Sequence, residues 1–152
     1  DLGNVDGSFS VEGSEPFAVT SFLLGSSLSD PGHLLDYNGD PAQSNVQARE
    51  QFRRKYVFPA PDDYTFSFAD MVAPDGAVCL LDGAAIGETP EPIAATGYGV
   101  VRMELALGLD GTHVLECDEP VGLQVMGYGF ATSYNYPGGM NLVQIASPPI
   151  IE

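Results

Sequence analysis

Residues 122–142 read GLQVMGYGFATSYNYPGGMNL, and this stretch carries more information about the fold than any other. Its first half alternates apolar side chains, such as Leu123 and Val125, with small or polar ones, which is typical of a β-strand. Gly127 and Gly129 indicate a bend, a bulge or a close approach of another backbone. The stretch contains no acid, base or thiol. It therefore predicts architecture or a contact surface rather than chemistry.

Working outward, similar strand-like segments recur about every ten residues, which is typical of a β-sandwich. The 152 residues suffice for one domain with one core, and 18 Gly with 12 Pro indicate frequent turns and few long helices. We predict an all-β fold, an antiparallel β-sandwich of nine or ten short strands with long loops, over residues 15–146. Residues 1–14 are predicted as an arm or edge strand, and residues 147–152 as a tail or linker.

Several local predictions follow from the same patterns. Residues 15–24 are rich in aromatic and β-branched side chains and are predicted as a strand, whereas residues 25–44 are predicted as a long loop. A short helical turn is expected within residues 46–52. In residues 64–72 the aromatic side chains share one side of a predicted half-buried strand, and residues 118–120 are predicted as a turn before the opening stretch.

The charge balance excludes some classes of partner. The chain has 21 acidic and 5 basic residues, a net charge of −16, which opposes binding to nucleic acid phosphates or anionic lipid. No apolar run approaches the length needed to cross a membrane, so direct insertion is not expected. The first residues lack signal-peptide character, which indicates a mature or excised segment. Four basic residues form a patch suited to head-to-tail association: Arg49, Arg53, Arg54 and Lys55.

The two cysteines, Cys79 and Cys117, lie in or at the end of strand-like segments, AVCLLDG and THVLEC. Neighbouring strands or facing sheets would bring them together. We predict that they form a disulfide, which would place the protein in an oxidising compartment. Two buried free thiols are the alternative.

Catalytic constellations are weak in this sequence. Only two histidines, His33 and His113, are available as bases, and Ser133 has no base beside it in the chain. A Gly-x-Ser-x-Gly nucleophile motif is absent. His113 follows a predicted hairpin turn and is interpreted as a packed structural histidine. We therefore expect no enzymatic activity.

One segment resembles the opening of a calcium loop. Asp36, Asn38 and Asp40 place three oxygen-bearing side chains at every second residue. The continuation departs from the calcium pattern because the glycine comes too early and Gln47 stands where a bidentate glutamate is needed. Turn formation by these residues is the alternative interpretation. No cofactor is expected, with Ca²⁺ as the one weak candidate.

The opening stretch also contains four aromatic residues with two possible roles. They can form an exposed patch that binds a sugar or a protein, or they can pack in the core or on a sheet face. The residues are Tyr128, Phe130, Tyr134 and Tyr136.

Several short motifs occur in a distinctive order along the chain. They are Gly39-Asp40-Pro41, Glu50-Gln51-Phe52 before Tyr56-Val57-Phe58, Leu81-Asp82-Gly83, Gly127-Tyr128, Ser133-Tyr134 and Pro137-Gly138-Gly139. Taken in order, they resemble the IgGFc-binding protein N-terminal domain family, over about residues 17–142. The resemblance implies an extracellular β-rich domain without known catalytic activity, and it leaves the ligand open.

Two functions are consistent with the sequence and the resemblance. The first is a non-catalytic extracellular module for adhesion, or for binding a protein or glycan, within a larger surface or secreted protein of bacterial type. The alternative is a subunit of an extracellular filament or matrix. In that case residues 1–11 and 142–152 would add a strand to the open sheet edge of a neighbouring copy.

Overall fold

A computed structural model describes residues 2–5, 7–32, 37–106 and 111–142. The described chain consists mainly of antiparallel β-strands, which confirms the predicted class. A helical segment, α1, covers Ser26–Ser29, and a 3-10 turn at Arg49–Gln51 confirms the helical turn predicted within residues 46–52. The strands are β1 (Thr20–Phe22), β2 (Gln43–Asn45), β3 (Arg53–Pro59), β4 (Phe66–Pro74), β5 (Cys79–Leu81), β6 (Ala84–Ala85), β7 (Glu91–Pro92), β8 (Tyr98–Glu104), β9 (Thr112–Gly129) and β10 (Thr132–Pro137).

Strand β9 organises the main sheet because its two halves have different partners. The first half pairs with β3 on one side and β5 on the other, whereas the second half pairs with β4 and β10. The strands follow the order β6-β5-β9-β4-β8-β7, with β3 and β10 paired to β9 off this path. Since one long strand serves both halves, the sheet curls into two layers that face each other across the core.

The turn predicted at residues 118–120 is wrong, because β9 continues through them. At this point the register with β3 shifts between Arg53 and Lys55. Pro120 lacks a backbone N–H, and an irregularity in the ladder is where a strand tolerates proline. The proline and the two acids before it therefore mark a change of partners rather than the end of a strand.

The core lies between the two layers. Strand β4 turns small or slender residues inward, including Ser67, Ala69 and Met71, while Phe66 and Phe68 are half-buried on its outer face. Large side chains from the other strands fill the space that the small residues leave. The buried apolar residues include Tyr56, Phe58, Val101, Met103, Leu105, Leu115, Val121, Leu123 and Val125.

The predicted disulfide between Cys79 and Cys117 is confirmed, and the alternative of two free thiols is wrong. The two residues are direct cross-strand partners in β5 and β9, with 4.2 Å between their Cα atoms. The bond spans 38 positions of sequence, for which the chain-entropy model gives about 4 kcal/mol of stabilisation. It fixes one edge of the curled sheet to the strand that joins both layers.

The N-terminal part contains less strand than predicted. Of residues 15–24 only β1 is a strand, and it pairs with β2 in a small separate sheet. Phe17 and Phe22 are exposed, so the apolar run there is not covered as a buried strand would be. Side-chain hydrogen bonds attach the small sheet to the main one, from Asn135 Nδ2 to Ser21 Oγ at 3.2 Å and from Gln124 Nε2 to Ser44 Oγ at 2.8 Å.

Parts of the sequence predictions lie outside the described residues. These are most of the hairpin predicted at residues 108–111, all but the first residue of the last strand predicted at residues 142–146, and the tail predicted at residues 147–152.

Candidate binding surface at the β9–β10 turn

The structure separates the four aromatic residues predicted as a possible ligand surface. Tyr134 and Tyr136 pack against the core from β10. Tyr128 is half-buried on the outer face of β9. Phe130, at the turn between the two strands, leaves 71% of its surface exposed. Phe130 is therefore the most exposed of the four.

Tyr134 is held inside the sandwich by a glycine. Gly127 lies directly opposite it on β9, and a Cβ atom at that position would be 2.2 Å from the tyrosine ring. Because glycine has no side chain, the ring can lie across the strand and its hydroxyl donates to Ser67 Oγ at 2.8 Å. Tyr64 packs edge-to-face on the same ring, with 4.7 Å between centroids. Burial raises the pKa of Tyr134, although the Ser67 hydrogen bond opposes the rise.

The other two tyrosines are also half-buried. Tyr136 donates to the backbone carbonyl of Pro59, and burial raises its pKa far above the ordinary value. Burial also raises the pKa of Tyr128, with the positive charge of Arg102 opposing that rise. The raised pKa values reflect the partial burial of both rings against the sheet.

Phe130 has a partner that the sequence patterns did not indicate. Its ring meets that of Tyr37 edge-to-face, with 6.5 Å between centroids and an interplanar angle of 80°. Tyr37 is 50% exposed, so the pair forms an aromatic surface that faces solvent. We call Tyr37 and Phe130 the aromatic tip. Tyr37 lies in a loop far from Phe130 in sequence. The sequence feature that could have drawn attention to this loop is the turn-forming Asn38-Gly39 pair that follows Tyr37.

Backbone hydrogen bonds hold the aromatic tip in place. Gly39 N donates to Gly129 O and Ala131 N donates to Tyr37 O, each at 3.0 Å, so the loop joins the β9–β10 turn like a short extra strand. Asn38, which stands between Tyr37 and Gly39 in the loop, is buried. Its Oδ1 accepts a hydrogen bond from Thr65 Oγ1 at 3.0 Å. The two exposed rings thus project from an ordered backbone rather than from a free loop.

The tip also contains backbone strain. Tyr37 has φ of 59° and Ala131 has φ of 48°, in the left-handed region that costs a residue with a side chain roughly 1 kcal/mol or more. The hydrogen bond from Ala131 N to Tyr37 O joins these two residues directly. The surrounding ladder therefore offsets the cost of presenting the two rings side by side.

The predicted basic patch is engaged within the chain itself. Arg54 pairs with Glu119 at 3.1 Å and Lys55 pairs with Glu116 at 2.7 Å, both at the surface. The other two guanidinium groups lie over tyrosine rings: Arg49 over Tyr98 and Arg53 over Tyr56.

Next to this patch is a cleft of about 580 Å³ at the end of the sandwich. It is lined by the 3-10 turn, the β4–β5 turn and residues 118–120 of β9, where that strand changes pairing partners. Its charged and aromatic side chains are Arg49, Glu50, Phe52, Asp75, Tyr98, Asp118 and Glu119.

The weak calcium candidate lies partly outside the described residues. Asp36 lies outside the described residues, Asn38 uses its side-chain oxygen to accept from Thr65, and Asp40 is exposed. In the ranges that the structure describes, no three His, Cys, Asp or Glu side chains come together as a metal-binding group.

His113 is buried, and its contacts support the packing role predicted for it. Its ring stacks on Phe58, and Nδ1 lies 2.8 Å from Asp82 Oδ2. The other Asp82 oxygen accepts from the backbone N–H of Val114. The aspartate thus ties the β5–β6 turn to β9. His33, the second histidine, lies outside the described residues.

Comparisons with known proteins identify one family. The family described as IgGFc binding protein matches residues 3–127, which is most of the chain and includes nearly all of β9. No curated protein and no solved structure gave a match. Within the described ranges, no helix has the length and apolar character needed to cross a membrane.

Proposed function

The chain belongs to the IgGFc-binding protein family, and from that premise we propose that it is a non-catalytic extracellular module that binds a protein or a glycan. The observation that carries this proposal is the aromatic tip. Two large rings are exposed side by side on a hydrogen-bonded backbone, and aromatic side chains dominate the energetics of protein interfaces. A surface already ordered before binding loses little entropy when a ligand arrives.

An extracellular location is supported by two features. The first is the Cys79–Cys117 disulfide, because disulfides persist in oxidising compartments and are rare in the cytosol. The net charge of −16 keeps such a protein soluble and discourages association with nucleic acid or anionic membrane surfaces. The proposed setting is a larger surface or secreted protein of bacterial type.

The proposal is tested with immobilised immunoglobulin Fc and a glycan array as two separate probes. The unmodified domain should bind at least one of them, and a Tyr37→Ala/Phe130→Ala variant should bind at least tenfold more weakly, because a hot-spot aromatic contributes 2 kcal/mol or more. Phe22→Ala is the matched control, since Phe22 is exposed to a similar degree on the small sheet. Equal losses in the two variants, or silence on both probes, would contradict the proposal.

A second candidate is self-assembly through the N-terminal arm. Within the described residues no hydrogen bond attaches residues 8–18 to the rest of the domain, and Phe9 and Val11 are exposed there. Strand β7 pairs only with Gly99 and Val100 of β8. The remaining β8 residues, up to Glu104, have no strand on that side among those described, so a second arm has an edge to join.

Light scattering across a concentration series tests this candidate. Self-assembly predicts oligomers that grow with concentration and disappear when residues 1–11 are deleted. A monomer at every concentration would remove the filament function and leave the binding module unaffected.

A further inference from the structure

We infer that the aromatic tip binds a protein surface rich in lysine or arginine. This inference rests on the proposed binding function and adds the chemistry of the partner. The argument uses the charges around the tip, the positions of the basic residues and the properties of the two rings.

Two exposed carboxylates, Asp40 and Asp63, lie on segments next to the tip. Asp40 is exposed, and its backbone carbonyl accepts a hydrogen bond from Ser133 Oγ, which places it beside the start of β10. Asp63 is also exposed and directly precedes Tyr64, whose ring packs over Gly129 at the end of β9. Both carboxylates thus lie on the segments that frame the two rings.

The basic residues of the chain are all in other places. Four of the five lie in the 3-10 turn or in the first three residues of β3, where Arg53 is opposite Val121, eight residues before Gly129. Eight strand residues correspond to about 26 Å, well beyond the screening length of about 8 Å at physiological salt. The fifth, Arg102, is held by Asp70 through hydrogen bonds of 2.9 and 2.7 Å. Among the described residues, no lysine or arginine therefore lies on the segments that carry the two rings or the two carboxylates.

Aromatic rings beside carboxylates match the two parts of a basic side chain. The methylene stem of lysine or arginine packs on a ring, the cationic head interacts with the ring face, and a nearby carboxylate pairs with the charge. A second copy of this chain is a poor partner, because its own basic patch already contacts Glu116, Glu119 and two tyrosine rings. A different protein with uncommitted lysines or arginines fits better, and the negative field would also increase its rate of association.

The test uses two synthetic peptides of equal length that share their apolar residues and differ only in carrying lysines or glutamates. Biolayer interferometry on the whole domain should detect binding of the lysine peptide and little or none of the glutamate peptide. Higher salt should weaken the binding. Tyr37→Ala/Phe130→Ala should reduce the affinity at least tenfold, while Phe22→Ala should leave it within twofold.

A matched pair of charge variants locates the carboxylates that act. Asp40→Asn/Asp63→Asn should reduce affinity for the lysine peptide about fivefold to tenfold and flatten its salt dependence. Glu50→Gln/Asp75→Asn removes the same charge at the large cleft and should change affinity less than twofold. Equal effects of the two pairs, or a larger effect at the cleft, would overturn the inference.

Failure of the inference and failure of the proposed function give different results. If the tip variant loses binding to Fc or to a neutral glycan while the two peptides bind alike, the partner chemistry is wrong and the binding module stands. If the tip variant binds Fc, glycans and peptides as the unmodified domain does, both are wrong.

Discussion

Phe130 and Tyr134 are four residues apart and have opposite environments. Tyr134 has a glycine opposite it, so its ring lies across the neighbouring strand and packs against the core. The Tyr134 hydroxyl donates to Ser67. Phe130 is at the turn, beside a left-handed Ala131, and its ring meets only the edge of Tyr37 before solvent. The difference shows that the residue opposite an aromatic side chain, rather than the aromatic residue itself, decides whether it supports the fold or faces a partner.

The largest expected effect concerns the interior. Replacing both cysteines, Cys79→Ser/Cys117→Ser, should lower the free energy of unfolding by about 4 kcal/mol, because the unfolded chain regains the freedom that the cross-link removes. Urea unfolding measures the loss. In the absence of urea, binding at the aromatic tip should be unchanged. A loss below about 1 kcal/mol would show that the disulfide contributes little to the curled sheet.

The sharpest contrast comes from two alanine variants in the same stretch. Tyr134→Ala should cost about 3 kcal/mol of stability, since it removes a large ring from the core boundary, whereas Phe130→Ala should cost less than about 0.5 kcal/mol. Urea denaturation of both variants supplies the measurement. Tyr134→Phe isolates the hydroxyl contact with Ser67, expected near 1 kcal/mol. Comparable losses for the two alanine variants would remove the distinction between interior and tip.

The pH dependence of stability should follow the interior tyrosines. Burial raises the pKa values of Tyr56, Tyr134 and Tyr136 in the folded state. A raised folded pKa stabilises the fold fully below the unfolded value of about 10, and this stabilisation is lost as pH rises above it. The chain has seven tyrosines, so phenolate absorbance is compared between the unmodified domain and Tyr56→Phe, Tyr134→Phe and Tyr136→Phe variants. The differences should show these tyrosines ionising only as the domain unfolds, while in urea they should ionise near pH 10. Ionisation near pH 10 in the folded domain would contradict their burial.

The smallest effect is expected at the tip itself. Ala131→Gly relieves a left-handed backbone at φ of 48° and should raise stability by about 0.5 kcal/mol, because the gain is partly offset by the greater freedom of glycine in the unfolded chain. Thermal unfolding measures the change, with tip binding as the control. A decrease in stability would show that the methyl group contributes packing that outweighs the strain.

The sequence predicted the class of fold and the disulfide because both depend on local signals. Alternation, turn residues and two cysteines within strand-like segments are visible in short windows. Of the strand predicted at residues 15–24, only three residues form one. The reason is that an apolar run forms a strand only where another strand pairs with it. The continuity of β9 through Pro120 was missed because the register shift that accommodates the proline belongs to β3.

The candidate site was only half visible in the sequence. Phe130 was among the predicted aromatic residues, whereas Tyr37 was not, because the contact between them joins segments remote in sequence. The two inner tyrosines resemble Phe130 in every local respect. Their placement depends on Gly127 and on hydrogen-bond acceptors in β3 and β4, Pro59 and Ser67, which no pattern within β10 specifies.

Strand β9 also sets an order of events in time. Strands β3, β4 and β5 each pair with it, and all three precede it in the chain. During synthesis these segments are made before their common partner exists. The main-sheet contacts open to them are the hairpins of β5 with β6 and of β7 with β8, and the pairing of β8 with β4. The two layers can close only once residue 129 has been made, so β3, β4 and β5 lack their pairing with β9 until this strand, in the last third of the chain, is present.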